Sequence, residues 1–185
     1  MNGQRLTNQA EKYTALSFPF ISKMKGEGVS PLKVDVKDAM TGLIGGFLTI
    51  SALGILTGVT STAWLMAPFG ASCVLVFGAW NAPLSQPRNV IGGHMISSFV
   101  GLAMYHLFGN EAWAVGLAVG LAIAVLMLTK TTHPPAGANP LVIMMGDYNW
   151  SFLFSPVLIG SLIVVGFALL INNLRRDRIY PTFWI

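Results

Sequence analysis

The chain has 185 residues, 54% of them hydrophobic and only 10% charged, with a net charge of +4. A soluble domain averages about 25% charged residues, so this composition excludes an ordinary water-soluble fold and is that of a chain built for lipid, with no nucleic-acid partner expected. Cys73 is the only cysteine, which excludes an internal disulfide.

The first segment, residues 1–38, is basic, with Lys12, Lys23, Lys25, Lys33 and Lys37. Its start is polar and lacks the apolar core of a cleavable signal peptide. Within YTALSFPFISKM, Phe18, Phe20, Ile21 and Met24 alternate with polar neighbours. That is either an amphipathic segment lying on anionic headgroups or a tail whose charges set topology, since Pro19 interrupts any helix there.

Four long apolar runs follow, about 39–61, 90–107, 113–129 and 152–172. They are expected to cross the roughly 30 Å hydrocarbon layer as helices. Two shorter runs, 70–80 and 137–146, lie between them. At 1.5 Å per residue, about ten residues reach only halfway, so these read as half-helices. The glycines Gly42, Gly45 and Gly46 and the series Gly116, Gly120 and Ala124 read as helix-packing surfaces. Trp64, Trp80, Trp113 and Trp150 fall near run boundaries, as interfacial anchors do.

The short runs resemble one another. Pro68-Phe69-Gly70-Ala71-Ser72 leads into CVLVFG, and Pro135-Ala136-Gly137-Ala138-Asn139 leads into PLVIMMG. Each copy sits between two longer apolar runs. We therefore expect a duplicated unit, repeat 1 at about 39–108 and repeat 2 at about 112–174, followed by a basic tail at 175–185. If the short runs cross the membrane, Arg88, Lys130 and the Arg175-Arg176-Asp177-Arg178 tail share the cytoplasmic side with both termini, and Glu111 and Asp147 face outward. If they turn back, Arg88 and Lys130 move outside. The positive-inside rule favours crossing. The expected fold is an all-α polytopic membrane protein, with four long transmembrane helices and two broken half-helix segments in a 3+3 inverted repeat.

Irregular backbone at membrane depth is tolerated only where protein or a water-filled cavity satisfies its polar groups. Gly70 and Gly137 are expected to allow close backbone approach, and Ser72 and Asn139 to occupy N-cap-like positions. A half-helix beginning there turns free N–H groups and its positive dipole end toward the midplane, which suits a small anion. The candidate binding residues are Gly70, Ala71, Ser72, His94, His133, Gly137, Ala138 and Asn139. His94, Ser97, Ser98, Gly101 and Tyr105 follow helical spacing along one face. His133 is either a proton relay or ligand or a cap on the preceding helix. His94 either serves the site or bonds a neighbouring carbonyl. Arg88 either attracts anions at the cytoplasmic mouth or anchors topology, and His106 reads as interfacial. Between Ala39 and Gly146 the only carboxylate is Glu111. Cation pathways are usually lined with Asp or Glu, so an anion is the better expectation.

The motifs APFGAS, QPRNVIGGH and THPPAGANP, in this order along the chain, resemble the HPP family of integral membrane proteins, whose name matches His133-Pro134-Pro135, and the resemblance covers nearly the whole chain. The family is usually described with four transmembrane segments. Members in cyanobacteria and chloroplasts are implicated in nitrite transport, so the resemblance implies a small-anion substrate. The resulting expectation is a transporter or channel for a small inorganic anion, most plausibly nitrite, in a bacterial inner membrane. It is not expected to be an enzyme or to need a cofactor or metal. A structural or sensing membrane protein is the alternative. An intramembrane metal enzyme using His94, His106 and His133 is weaker, because no metal-ligand spacing is present. A core this small suggests a homo-oligomer.

Overall fold

The first helix among the described residues, α1 (Val36–Thr60), starts where the Asp35 carboxylate accepts from the backbone N–H groups of Lys37 and Asp38 at 2.8 and 3.2 Å. This is an N-cap that satisfies two of the helix's otherwise orphan donors. The structure is a computed structural model describing Met24, residues 28–30, Lys33 and residues 35–185. The expected amphipathic segment around Phe18, Phe20 and Ile21 lies outside the described residues.

Thr41, Gly45, Thr49 and Leu53 form the buried stripe of α1, the four-residue spacing of one helix face. Thr41 and Thr49 return their hydroxyls to the carbonyls of Lys37 and Gly45 at 2.8 and 2.7 Å, so their polar atoms enter the core already paired. The rest of α1 presents Leu43, Phe47, Ile55 and Val59 outward, a surface suited to lipid.

A short extended stretch leads back into the molecule, held by Leu65 N–H donating to Thr57 Oγ1 at 3.0 Å and Trp64 Nε1–H donating to Thr60 Oγ1 at 2.7 Å. Trp64 is therefore buried in the core and is not the interfacial anchor its position suggested. Next comes α2 (Ala67–Cys73), opened by Pro68 in its first turn and continued by a single π-turn, Val74–Gly78. It runs back along α1: Leu65, just before it, bonds Thr57 near the end of α1, while Phe77, at its far end, lies 2.6 Å from where a Cβ on Gly45 would sit. Helix α3 (Pro87–Phe108) and α4 (Ala112–Leu128) follow. A 3₁₀ stretch, Pro134–Ala138, leads into α5 (Asn139–Gly146). Finally, short turns over Trp150–Leu153 and Phe154–Leu158 lead into α6 (Ile159–Asn173).

Among the described residues the protein is thus all helical, with six helices and no strand. Three stretches, Val36–Thr60, Pro87–Phe108 and Trp150–Asn173, are long and apolar enough to cross a membrane. The fourth long run is the 17-residue α4, about 26 Å in length. It stops at Leu128 because Lys130 takes a left-handed conformation, φ 57°, and turns the chain into the second break. Its packing stripe is Ala114, Ala118, Ala122 and Leu126. The expected stripe of Gly116, Gly120 and Ala124 faces outward, one register away. Gly42 and Gly46 likewise have open space beside them, and only Gly45 of that trio makes a close approach.

Hydrogen bonds sort the helix ends into two groups. At one end, Asp38 receives Arg175 and Arg178, each at 2.6 Å. The buried Arg178 also donates to the Phe77 carbonyl and to Asn172 Oδ1 at 2.9 and 2.7 Å, while Asn172 Nδ2 donates to the Val76 carbonyl at 3.0 Å. The same end gathers Tyr180, whose hydroxyl donates to the Ser85 carbonyl at 2.8 Å, and Thr182, whose N–H donates to Gln86 Oε1 at 2.8 Å. Arg88 at the start of α3 donates to the Thr129 carbonyl just past α4 at 3.2 Å. Residues 175–185, read from the sequence as a basic tail, are therefore a packed strap within the Asp35–Ile185 unit. Burial pushes the Tyr180 phenol up from its ordinary value, and Arg175 holds the exposed Asp177 carboxyl below the usual carboxylate range. At the other end, Tyr105 donates to Asp147, and Phe108 packs on Trp113. There the exposed His106 packs on Trp150.

Candidate functional site

The two interrupted segments meet inside this bundle. The first turn of α2 and the 3₁₀ stretch before α5 together line an apolar groove of about 540 Å³, with Ala67, Pro68 and Ala71 from one side and Pro134, Pro135 and Ala138 from the other. These are corresponding positions of the two motif copies. The same offset relates Phe69 to Ala136, Ser72 to Asn139, Gly93 to Gly160 and His94 to Ser161. The packing repeats with it: a Cβ on Gly93 would lie 3.5 Å from Ala136 Cβ, and one on Gly160 would lie 2.4 Å from the Phe69 ring. Each long helix that follows a break therefore presses a glycine onto the opposite copy of the motif.

Behind the groove, four predicted residues come together in a fully buried polar cluster. Ser72, His94 and His133 are 0% exposed and Asn139 is 1% exposed. Ser72 Oγ lies 2.8 Å from His94 Nε2 and 2.8 Å from His133 Nε2. The two rings stand edge to face with centroids 5.1 Å apart. His94 Nδ1 lies 3.2 Å from Asn139 Oδ1, and His133 Nδ1–H donates to the Leu84 carbonyl at 2.7 Å. Asn139 Nδ2 donates to the His94 carbonyl at 3.2 Å and to Ser98 Oγ at 2.7 Å. Phe69 covers His94 edge-on, centroids 5.0 Å apart.

Each member is positioned by a local feature. Ser72 is on the last turn of α2, its hydroxyl also within 2.9 Å of the Pro68 carbonyl. It does not sit at an N-cap, and neither it nor Asn139 caps a helix with its side chain. Their side chains turn instead toward the histidines. His133 holds the extended position before Pro134, φ −137° and ψ 102°, the conformation a following proline enforces. It does not cap the preceding helix. His94 sits on the buried face of α3 with Ser97 and Ser98. Ser97 Oγ donates to the Ala136 carbonyl at 2.6 Å, and Asn89 Nδ2 donates to the Thr132 carbonyl at 2.9 Å, which satisfies the irregular backbone of the second break.

Gly70 and Gly137, expected to let backbone come close to a ligand, are half-buried with open space beside them: a Cβ on either would meet nothing within 4 Å. Ala71 is exposed and Ala138 half-buried on the groove wall. The close approaches are on α3: a Cβ on Gly93 would lie 2.8 Å from His133 Cβ and 3.0 Å from the Thr131 carbonyl, and one on Gly101 would lie 2.9 Å from Pro140 Cα. Sequence reasoning missed Gly93 in this role, although its place beside His94 was a signal. It also missed Leu84, whose contribution is a main-chain carbonyl and leaves no mark in a residue pattern. Ile123, Leu126, Thr132, His133, Pro134 and Gly137 border a second cavity of about 370 Å³.

Among the described residues no three His, Cys, Asp or Glu side chains come together. No carboxylate hydrogen-bonds to His94 or His133 among them. The cluster can accept and donate hydrogen bonds and exchange protons at imidazole nitrogens, in a setting of uncharged partners.

Comparison with known proteins agrees with the motifs. A transmembrane protein of Dictyostelium discoideum is 37% identical over 177 residues, covering 89% of this chain and 57% of its own. A second from the same organism is 41% identical over 128 residues, covering 65% of this chain and 45% of its own. The chain thus spans about half the length of these curated relatives. No solved structure matches it. The family described as the HPP transmembrane region matches residues 31–181, a span that holds every described helix and every member of the buried cluster. The protein, with its long apolar helices and this match, belongs to the HPP family of integral membrane proteins.

Proposed function

We propose that the protein moves a small inorganic anion across the membrane, as a transporter or channel, without chemical conversion of its substrate. The carrying observation is the convergence of Ser72, His94, His133 and Asn139, fully buried and uncharged by any carboxylate, where two interrupted helices meet. Donors without a nearby acid suit an anion, and a cation would find no countercharge there. The first turn of the second broken segment, which His133 immediately precedes, adds a positive dipole end beside the cluster. Nitrite is the anion of choice, through the family resemblance.

The architecture we favour is a six-crossing, inverted repeat with both termini cytoplasmic, in a bacterial inner membrane. Its support is the grouping of helix ends. Asp38, Phe77, Asn172 and the Arg88–Thr129 pair share one end, and Trp64, Tyr105 and Asp147 fall at the other. The matched glycine contacts of Gly93 and Gly160 supply the pseudo-symmetry. In this arrangement both short segments cross, and the site lies between the repeats, as in transporters of this layout.

The test is nitrite flux into liposomes containing the purified protein, with protein-free liposomes at each pH as baseline, because nitrite's conjugate acid crosses bilayers unaided. Flux above baseline that is lost in His94→Gln is the expected result. Flux equal to baseline under every gradient would remove the transport reading.

A further inference from the structure

The hydrogen-bond chain through the cluster is one proton short when every member is neutral. Along it run four contacts: Leu84 O with His133 Nδ1, His133 Nε2 with Ser72 Oγ, Ser72 Oγ with His94 Nε2, and His94 Nδ1 with Asn139 Oδ1. Each contact requires one hydrogen between its two atoms. Two neutral imidazoles and one hydroxyl supply three. The ends cannot help. The Leu84 carbonyl only accepts, and Asn139 already directs its Nδ2 to the His94 carbonyl, another pure acceptor, and to Ser98. That fixes the amide with its oxygen toward His94. The Pro68 carbonyl, 2.9 Å from Ser72 Oγ, competes for the hydroxyl hydrogen and adds none.

One extra proton completes the chain, and it does so in two ways. With His133 doubly protonated, Ser72 accepts from His133 and donates to His94. With His94 doubly protonated, Ser72 accepts from His94 and donates to His133. The forms interconvert when His133 Nε2 releases its proton to Ser72 Oγ while Ser72 passes its own to His94 Nε2. One N–H and one O–H bond break, one O–H and one N–H bond form, and the positive charge moves from ring to ring.

We propose that Ser72, His94 and His133 form a single-proton site, with the serine hydroxyl as relay, and that this proton travels with the anion. The inference deepens the transport reading and its coupling half rests on that reading. Facing the two rings are Phe69 and Ser72 from α2, with buried Cys73 next to Ser72 in the chain; Asn139 from α5, which Ser98 of α3 supports; and the Leu84 carbonyl. Arg88, on α3, directs its guanidinium to Thr129 instead. No group in this set carries a negative charge. A lone buried cation is costly without a partner, so the site fills when an anion supplies the countercharge. By linkage, the proton then strengthens the anion's binding equally.

The experiment uses the purified full chain in lipid nanodiscs with ¹⁵N-labelled histidine. Only three histidines are present, and exposed His106 serves as reference. The pair His94 and His133 is expected to gain one shared proton, with both rings' signals moving together. Saturating nitrite, added in weak buffer, is expected to draw about one proton per protein from solution. Ser72→Ala abolishes both behaviours and Ser72→Thr, which keeps the hydroxyl, restores them. Rings that titrate independently, or a shared titration that persists unchanged in Ser72→Ala, overturn the single-proton site. Nitrite flux above baseline without proton uptake overturns the coupling. Absence of nitrite flux removes the transport reading instead, and the histidine spectra alone still decide whether the shared proton exists.

Discussion

Gly93 touches His133: a methyl group in place of its hydrogen would lie 2.8 Å from His133 Cβ and 3.0 Å from the Thr131 carbonyl. Both neighbours belong to the irregular segment that carries the second break, and one of them is main chain, so neither yields cheaply. The hydrogen on Gly93 therefore sets how near the imidazole of His133 comes to Ser72.

Gly93→Ala is expected to cost about 1–3 kcal/mol, the range for overpacking a filled core, and to abolish anion flux by displacing His133. Gly70→Ala and Gly137→Ala, which meet open space, are expected to unfold at the parent temperature. Thermal unfolding in detergent and liposome flux check both. A Gly93→Ala protein with parent stability and parent flux would refute the contact.

Asn139→Leu removes the donor to the His94 carbonyl and Ser98 and the acceptor facing His94 Nδ1. Buried polar groups left unpaired cost about 1–3 kcal/mol. The expected outcome is a fall in thermal stability of that size together with loss of flux. Asn139→Ala is the companion variant, since a similar loss there shows that the amide, and not leucine's shape, is responsible.

Cysteines placed one at a time at Arg176, Lys130 and Glu111, in a Cys73→Ser background, report the path of the chain. All three positions are exposed. Six crossings put Lys130 on the side of Arg176 and Glu111 on the opposite side. Labelling with an impermeant thiol reagent checks this, and Lys130 labelling opposite Arg176 would show that a short segment turns back.

Arg178→Ala leaves Asp38 with Arg175 but strips the Phe77 carbonyl and Asn172 Oδ1 of their donor. The loss is expected to be about 1–3 kcal/mol. Arg178→Lys is expected to recover only part of it, because a compact ammonium cannot fork to three acceptors on different elements. Thermal unfolding reads both, and an unchanged Arg178→Ala protein would show that the strap is not held there.

The motif copies and the identities of Ser72, His94, His133 and Asn139 were legible because hydrophobic runs expose any polar residue placed within them. The breaks were legible for the same reason, since three prolines and a histidine cannot continue a membrane helix. Which glycine mattered was not. Gly70 and Gly93 are alike in sequence, and only the neighbour across the helix pair decides which one needs its missing side chain. The direction of Ser72 and Asn139 was also hidden. Both follow a Pro-x-Gly-Ala break and so read as caps, yet α2 starts earlier, at Ala67, and Asn139 already lies inside α5, so their side chains are free to reach tertiary partners. The strap was invisible for a different reason. Arg178 and Tyr180 lie in a stretch whose charges read as solvated, and their partners, Asp38, Phe77 and Ser85, are far away along the chain.

That distance orders the making of the protein. Arg178 stands 140 residues after Asp38, and a ribosome adding about 5–20 residues per second needs about 7–28 seconds to connect them. Through that interval the Asp38 carboxylate, in the first turn of α1, lacks both of its arginine partners, Arg175 and Arg178. Arg178 then joins α1, the π-turn that follows α2 and α6 through Asp38, the Phe77 carbonyl and Asn172.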